Sequence, residues 1–176
     1  MLDFLYTAGA KRVLIFLSAL IIILLLVTNL FGISLLIGAS ALLSLAIGKL
    51  RIKVIGLELV TFITVLSALA YGAPAGGVIG LVLIIFHLAI PQYSGAYVAW
   101  VIPEYVLAAV IAGMLGGSVA SIGMTITVLL NALNVFLTFL VYKEHLPKYL
   151  PYAATNVIFN IILFTQAGET VLGMIK

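Results

Sequence analysis

The sequence predicts an all-α, polytopic integral membrane protein, a compact bundle of six or seven transmembrane helices forming one domain over residues 1–176. Three observations carry this. Of the 176 residues, 65% are hydrophobic and only 7% charged, whereas an average soluble domain carries roughly 25% charged residues. The apolar residues fall into runs of helical length punctuated by Gly, Pro and Asn. The ionisable and amide side chains that interrupt these runs gather near the same ends of them, beside the basic loops.

Seven apolar segments follow one another: 13–30, 33–47, 54–71, 74–90, 97–115, 119–142 and 150–175. Crossing a ~30 Å hydrocarbon core takes about 20 helical residues, with roughly 17 as the short limit. The second segment sits at or below that limit, as a thin span, a re-entrant piece or a surface helix, so the count is six or seven. Turns are expected at 29–32, 72–74, 91–95, Gly116 with Gly117, and 147–151. Lys11 and Arg12 precede the first run as they would in a signal peptide. No small-residue cleavage site follows and more membrane segments do, so that run is expected to be a retained helix.

If all seven segments cross, Lys11, Arg12, Lys49, Arg51, Lys53, Lys143 and Lys148 share one side and Lys176 is left on the other. The positive-inside rule makes the basic side cytoplasmic in a multi-pass protein of the cell membrane. The longest polar stretch, 142–149, is too short for a soluble domain, so any ATPase or redox activity has to come from a partner. The absence of Cys excludes disulfides, thiolate nucleophiles and Cys-ligated metals. A net charge of +3 is too small to argue for nucleic acid, and nothing in the chain calls for a cofactor.

Carboxylates and imidazoles are costly in hydrocarbon and usually face a bundle interior or a wet cavity. Glu58, His87, Glu104, Asn134, Asn156 and Asn160 are the residues in question. At ~1.5 Å per residue from the basic side, Glu58, Glu104 and His87 lie about 6, 10 and 5 Å deep, and Asn134, Asn156 and Asn160 about 12, 9 and 15 Å. Thr127, Asn131, Asn134 and Thr138 recur on one helical stripe, and the pairs Trp100–Glu104 and Asn156–Asn160 are each one turn apart. A polar cavity opening to one side is the leading inference, lined by Glu58, His87, Trp100, Glu104, Asn134, Asn156 and Asn160 as substrate-binding residues.

Each has a plainer reading. Asn and Thr in membrane helices often act only as interhelical glue worth about 0.6 kcal/mol, a reading at least as good as ligand contact for Asn131 and Thr138. Glu58 can be a rim charge paired with Lys53 or Arg51, and Trp100 a member of an interfacial belt. Glu169 and Gln166 belong at the opposite interface. His87 with the two glutamates lacks any HxxxH or ExxH spacing, so no metal is expected. Small residues form ridges at Ala68, Gly72, Gly76 and Gly80, at Ala109, Gly113 and Gly117, and at Ser40, Ser44 and Gly48, suited to close helix contact or to a sliding partner surface.

The stretch from Lys53 to His87, with Gly56, Glu58, the turn Tyr71-Gly72-Ala73-Pro74 and then Ala75-Gly76-Gly77-Val78-Ile79-Gly80, resembles the substrate-binding S-components of energy-coupling-factor transporters. A last helix opening with Pro151 ahead of Asn156 and Asn160 resembles them further, so the likeness runs from about Lys53 to the C-terminus. It implies a protein that captures a vitamin-like small molecule and is driven by a transmembrane coupling subunit with two ATPases. It also implies that the loops 49–54, 91–96 and 143–150 cap the ligand cavity. The family has six helices, an Ala-xxx-Ala patch on the first and a cavity outside the cell. This chain has an extra apolar segment, only the Ser40, Ser44, Gly48 ridge in that place, and a charge bias that points the cavity inward.

The expectation is therefore a lipid-embedded, non-enzymatic transporter subunit that binds a small molecule. A membrane scaffold resembling cell-shape-determining proteins is the alternative. An intramembrane enzyme ranks third, because no Cys, intramembrane Asp or Ser/His motif is present. A lone channel ranks fourth, because the polar residues do not line a continuous path. The solute class stays open between a neutral or cationic, partly aromatic molecule suited to the pocket and an anion received by the Lys-bearing loops.

Overall fold

A computed structural model describes residues 30–50, 54–90, 95–141 and 146–176. The first apolar segment up to residue 29, Lys11, Arg12, Arg51, Lys53, Lys143, the loop residues 91–94 and the side chain of Lys148 lie outside the described residues. Among the described residues the architecture is all-helical: α1 Leu30–Leu50, α2 Val60–Tyr71, α3 Ala73–Ala89, α4 Val98–Met114, α5 Val119–Val141, α6 Leu146–Gln166 and α7 Gly168–Ile175.

α1 and α5 are long and apolar enough to cross a membrane, and α6 from Tyr149 with α7 passes as one span bent by 64°. α2, α3 and α4 are shorter apolar helices. The 33–47 segment thus belongs to a 21-residue helix, longer than its apolar run suggested. The helix runs through Gly32, expected in a turn. A glycine inside a helix costs about 1 kcal/mol, and here the missing side chain admits the end of α7: a Cβ on Gly32 would lie 2.9 Å from Ile175.

The 54–71 segment departs in the other direction. Only its last two-thirds are helical, and α2 has 12 residues, about 18 Å. Even so, α2 is the centre of the molecule, since all six other helices touch it and every residue from Val60 to Ala68 is buried. Ile63, Val65 and Leu66 are fully enclosed, and Phe62 meets Phe164 of α6 with ring centroids 5.0 Å apart. A helix apolar all round has no face for water, which matches this position.

α2 turns into α3 through one residue, Gly72, at φ +90°, a backbone conformation that side-chain-bearing residues rarely adopt. The two helices run back antiparallel along the Ala68–Gly72–Gly76–Gly80 ridge, with Gly76 against Ala68 and Gly80 against Thr64. α3 packs in turn on α4, with Gly77 beside Val106 and Ala109, and Gly113 beside Ala73. Gly48 of the third ridge meets Ile90. Gly76, Gly77 and Gly80 are thus buried in contacts within the chain, while Gly113 and Gly117 remain exposed.

The 147–151 turn is absent. Pro147 and Pro151 lie within α6; Pro147 falls among the first amides, which have no intrahelical partner, whereas Pro151, one turn further on, removes one i→i−4 hydrogen bond. The break comes later, at Ala167, so the 150–175 segment is two helices that pass together as one bent span. The bend returns α7 under the bundle, where Glu169 Oε1 accepts the backbone N–H of Val119 at 2.9 Å and so caps α5. The role is more specific than an interfacial charge.

The α2–α3 seam makes a direct test. A Cβ at Gly76 would sit 2.6 Å from Ala68 Cβ, while one at Gly38 meets nothing within 4 Å. Gly76→Ala is expected to destabilise the protein by about 1–3 kcal/mol through overpacking, and Gly38→Ala to be neutral or stabilising by up to about 1 kcal/mol. Thermal unfolding in detergent reads both; equal midpoints would contradict the seam.

Candidate functional site

The polar residues converge toward one end of the bundle, contributed by the C-terminal halves of α1, α3 and α5, the N-terminal half of α4, the middle of α6 and the non-helical stretch before α2. Glu58 is 1% exposed, which removes the reading of it as a rim charge. It precedes the N-cap residue Leu59, so it is not one turn into a helix as the depth arithmetic assumed. Its Oε2 accepts the Thr61 N–H at 2.9 Å, satisfying an amide at the start of α2. Its Oε1 accepts the Thr61 hydroxyl at 2.6 Å and the side-chain amides of Asn156 at 3.1 Å and Asn160 at 3.2 Å.

The asparagines are used economically. Asn156 gives its second N–H to Gly56 O at 3.0 Å and accepts from Asn131 at 2.8 Å. Asn131 also donates to Thr127 O at 2.9 Å, and Asn160 to Asn156 O at 3.2 Å. Flipping the Asn156 or Asn160 amide would set oxygen against the Glu58 carboxylate, so the orientations follow from chemistry. The Gly56 N–H donates to Thr155 Oγ1 at 2.8 Å. A Cβ at Gly56 would clash with the Tyr152 carbonyl and with Asn156, so only glycine lets this backbone lie against α6.

A second cluster lies one turn along α5. Asn134 donates to Glu104 Oε2 and, at 3.1 Å, to Leu130 O. Glu104 Oε1 is buried and accepts no hydrogen bond, although the residue is only 4% exposed. Among the described residues Glu104 has no ion-pair partner, and Asn134 is its one donor. Thr127, Asn131, Asn134 and Thr138 are all buried, so the α5 stripe faces the bundle as its spacing predicts.

Tyr105 links the clusters. Its hydroxyl is 3.5 Å from Thr61 Oγ1, and both Glu58 and Glu104 act on it electrostatically. Tyr149 of α6 lies within the field of Glu104 and of Tyr97, and stacks on Tyr152 with centroids 5.7 Å apart. Trp100, half-buried, sits one turn before Glu104. His87 joins from the other side: it is buried, its Nδ1 is 2.9 Å from Ser44 Oγ of α1, and the charge of Glu58 reaches it. No group of three His, Asp or Glu side chains converges as metal ligands among the described residues.

Of the predicted residues, Glu58, Asn156 and Asn160 form one network and Glu104 with Asn134 a second; Trp100 precedes Glu104 by one turn and His87 meets Ser44. Gly56, Thr61, Thr155 and Tyr105 were missed. The spacing Glu58-x-x-Thr61 carried a signal, since an acid three residues before a Thr at a helix start can take both its amide and its hydroxyl. Tyr105 carried none, being one more aromatic in an apolar run. Comparisons with protein-family models, with curated proteins and with solved structures find no match to this chain.

The Glu58 network predicts unequal asparagines. Asn156→Ala strips partners from Gly56 O, Glu58 and Asn131, and at about 1–3 kcal/mol for each buried group left unsatisfied the loss should exceed about 2 kcal/mol. Asn131→Ala strips the partner from Asn156 Oδ1 alone and should cost about 1 kcal/mol, the low end of the same range. Chemical unfolding of both variants in detergent checks the order, and equal losses would contradict it.

Proposed function

We propose that this chain is the solute-binding membrane subunit of a transporter, similar in role to the S-components it resembles and dependent on a separate ATPase coupling module. One observation carries the reading: Glu104 is a buried carboxylate with a fixed side and an open side. Asn134 holds Oε2, and Oε1 has no hydrogen bond among the described residues. An open acceptor in a low-dielectric interior costs free energy unless something fills it, and a bound solute with a hydrogen-bond donor fills it.

The contrast with Glu58 supports the same assignment. Glu58 is saturated by four donors and does structural work, so the two carboxylates divide between framework and ligand. The rival scaffold reading relies on small-residue ridges as partner surfaces. Gly76, Gly80, Gly113 and Gly48 already meet Ala68, Thr64, Ala73 and Ile90 within the chain, which takes up part of that surface and favours the solute-binding reading.

Two outcomes test the proposal. Gently purified protein should carry a co-purifying metabolite in native mass spectrometry, and Glu104→Gln should weaken its binding by about 1.5–3 kcal/mol, the range for a hydrogen bond to a charged group, without loss of fold. Reconstituted alone in liposomes, the protein should bind this solute without concentrating it. Uphill uptake by this chain alone would refute the subunit reading.

A further inference from the structure

Resting on that solute-binding reading, we propose that the ligand is a flat organic cation bearing N–H donors, held edge-on by Glu104 Oε1 and against the aromatic side chains of Tyr97, Trp100 and Tyr149. Three properties of the site select this class. When Glu104 is ionised its open oxygen only accepts, so a ligand that meets it there must donate, and a cationic donor is what holds it in that form. The acceptor belongs to a carboxylate with no cationic partner among the described residues, and a buried carboxylate is stabilised most by a positive donor at hydrogen-bond distance.

The third property is the surroundings. Tyr149 reaches across from α6 into the field of Glu104 and Tyr97, and Trp100 stands one turn before Glu104 on α4. Aromatic faces attract cations through the ring quadrupole, most strongly where water is excluded. An anion would meet the unscreened Glu104 charge and be repelled. A neutral amide could donate to Oε1 but would leave the carboxylate uncompensated. Asn134 fixes the geometry: with both N–H groups committed to Glu104 Oε2 and Leu130 O, it cannot turn to fill Oε1 itself.

The chain contains one tryptophan, Trp100, so intrinsic tryptophan fluorescence reports on this place alone. Purified protein in detergent would be titrated with benzamidinium, its neutral isostere benzamide, and benzoate. The expected result is a saturable change with benzamidinium at least tenfold tighter than with benzamide, no response to benzoate, and a ratio falling toward one in Glu104→Gln. The wild-type ratio needs no variant, so the test survives a misfolded substitution. Benzamide or benzoate binding as tightly as benzamidinium would overturn the cation class while supporting a solute site. No saturable response to any of the three would also overturn the cation class, and the co-purified metabolite judges the solute reading separately.

Discussion

Four donors on one buried carboxylate hold the molecule together. Glu58 collects the amide and hydroxyl of Thr61 and the side-chain amides of Asn156 and Asn160, and so ties the start of the central helix to α6. Everything at the polar end follows from that tie. It lets residues 54–59 remain non-helical at the edge of an apolar bundle, because Gly56 finds its partners in Thr155 and Asn156. It orients Asn156, which orients Asn131, and one turn further along α5 Asn134 reaches Glu104.

The two glutamates show environment deciding role. Both are nearly inaccessible, at 1% and 4% exposure. Breaking a buried, saturated charge strands its donors, so Glu58 serves a framework. Glu104 is anchored on one oxygen only, which suits a group waiting for a partner that arrives and leaves. Tyr105 lies between them, its hydroxyl 3.5 Å from Thr61 Oγ1.

Much of this was legible in the sequence because helical periodicity and hydrophobicity are local properties. The α5 stripe of Thr127, Asn131, Asn134 and Thr138 is buried as its spacing required, and the Ala68–Gly72–Gly76–Gly80 ridge is a helix seam. The failures concern places where distant residues override local preference. Val54 to Leu59 reads as helix, yet Thr155, Asn156 and Asn160, about a hundred positions away, supply its hydrogen-bond partners instead. Gly32 reads as a turn, yet α7 needs the space. The bend at Ala167 has no breaker in the sequence stronger than Gly168, and it is held by Glu169 on the amide of Val119.

An experimental density map of the protein in a lipid nanodisc, purified without added solute and resolved to side-chain detail, tests the division between the two carboxylates most directly. The account predicts Glu58 enclosed by Thr61, Asn156 and Asn160 with no further density beside it, and non-protein density against Glu104 Oε1. Glu104 turned to the lipid, or paired with a lysine of this chain, would contradict it.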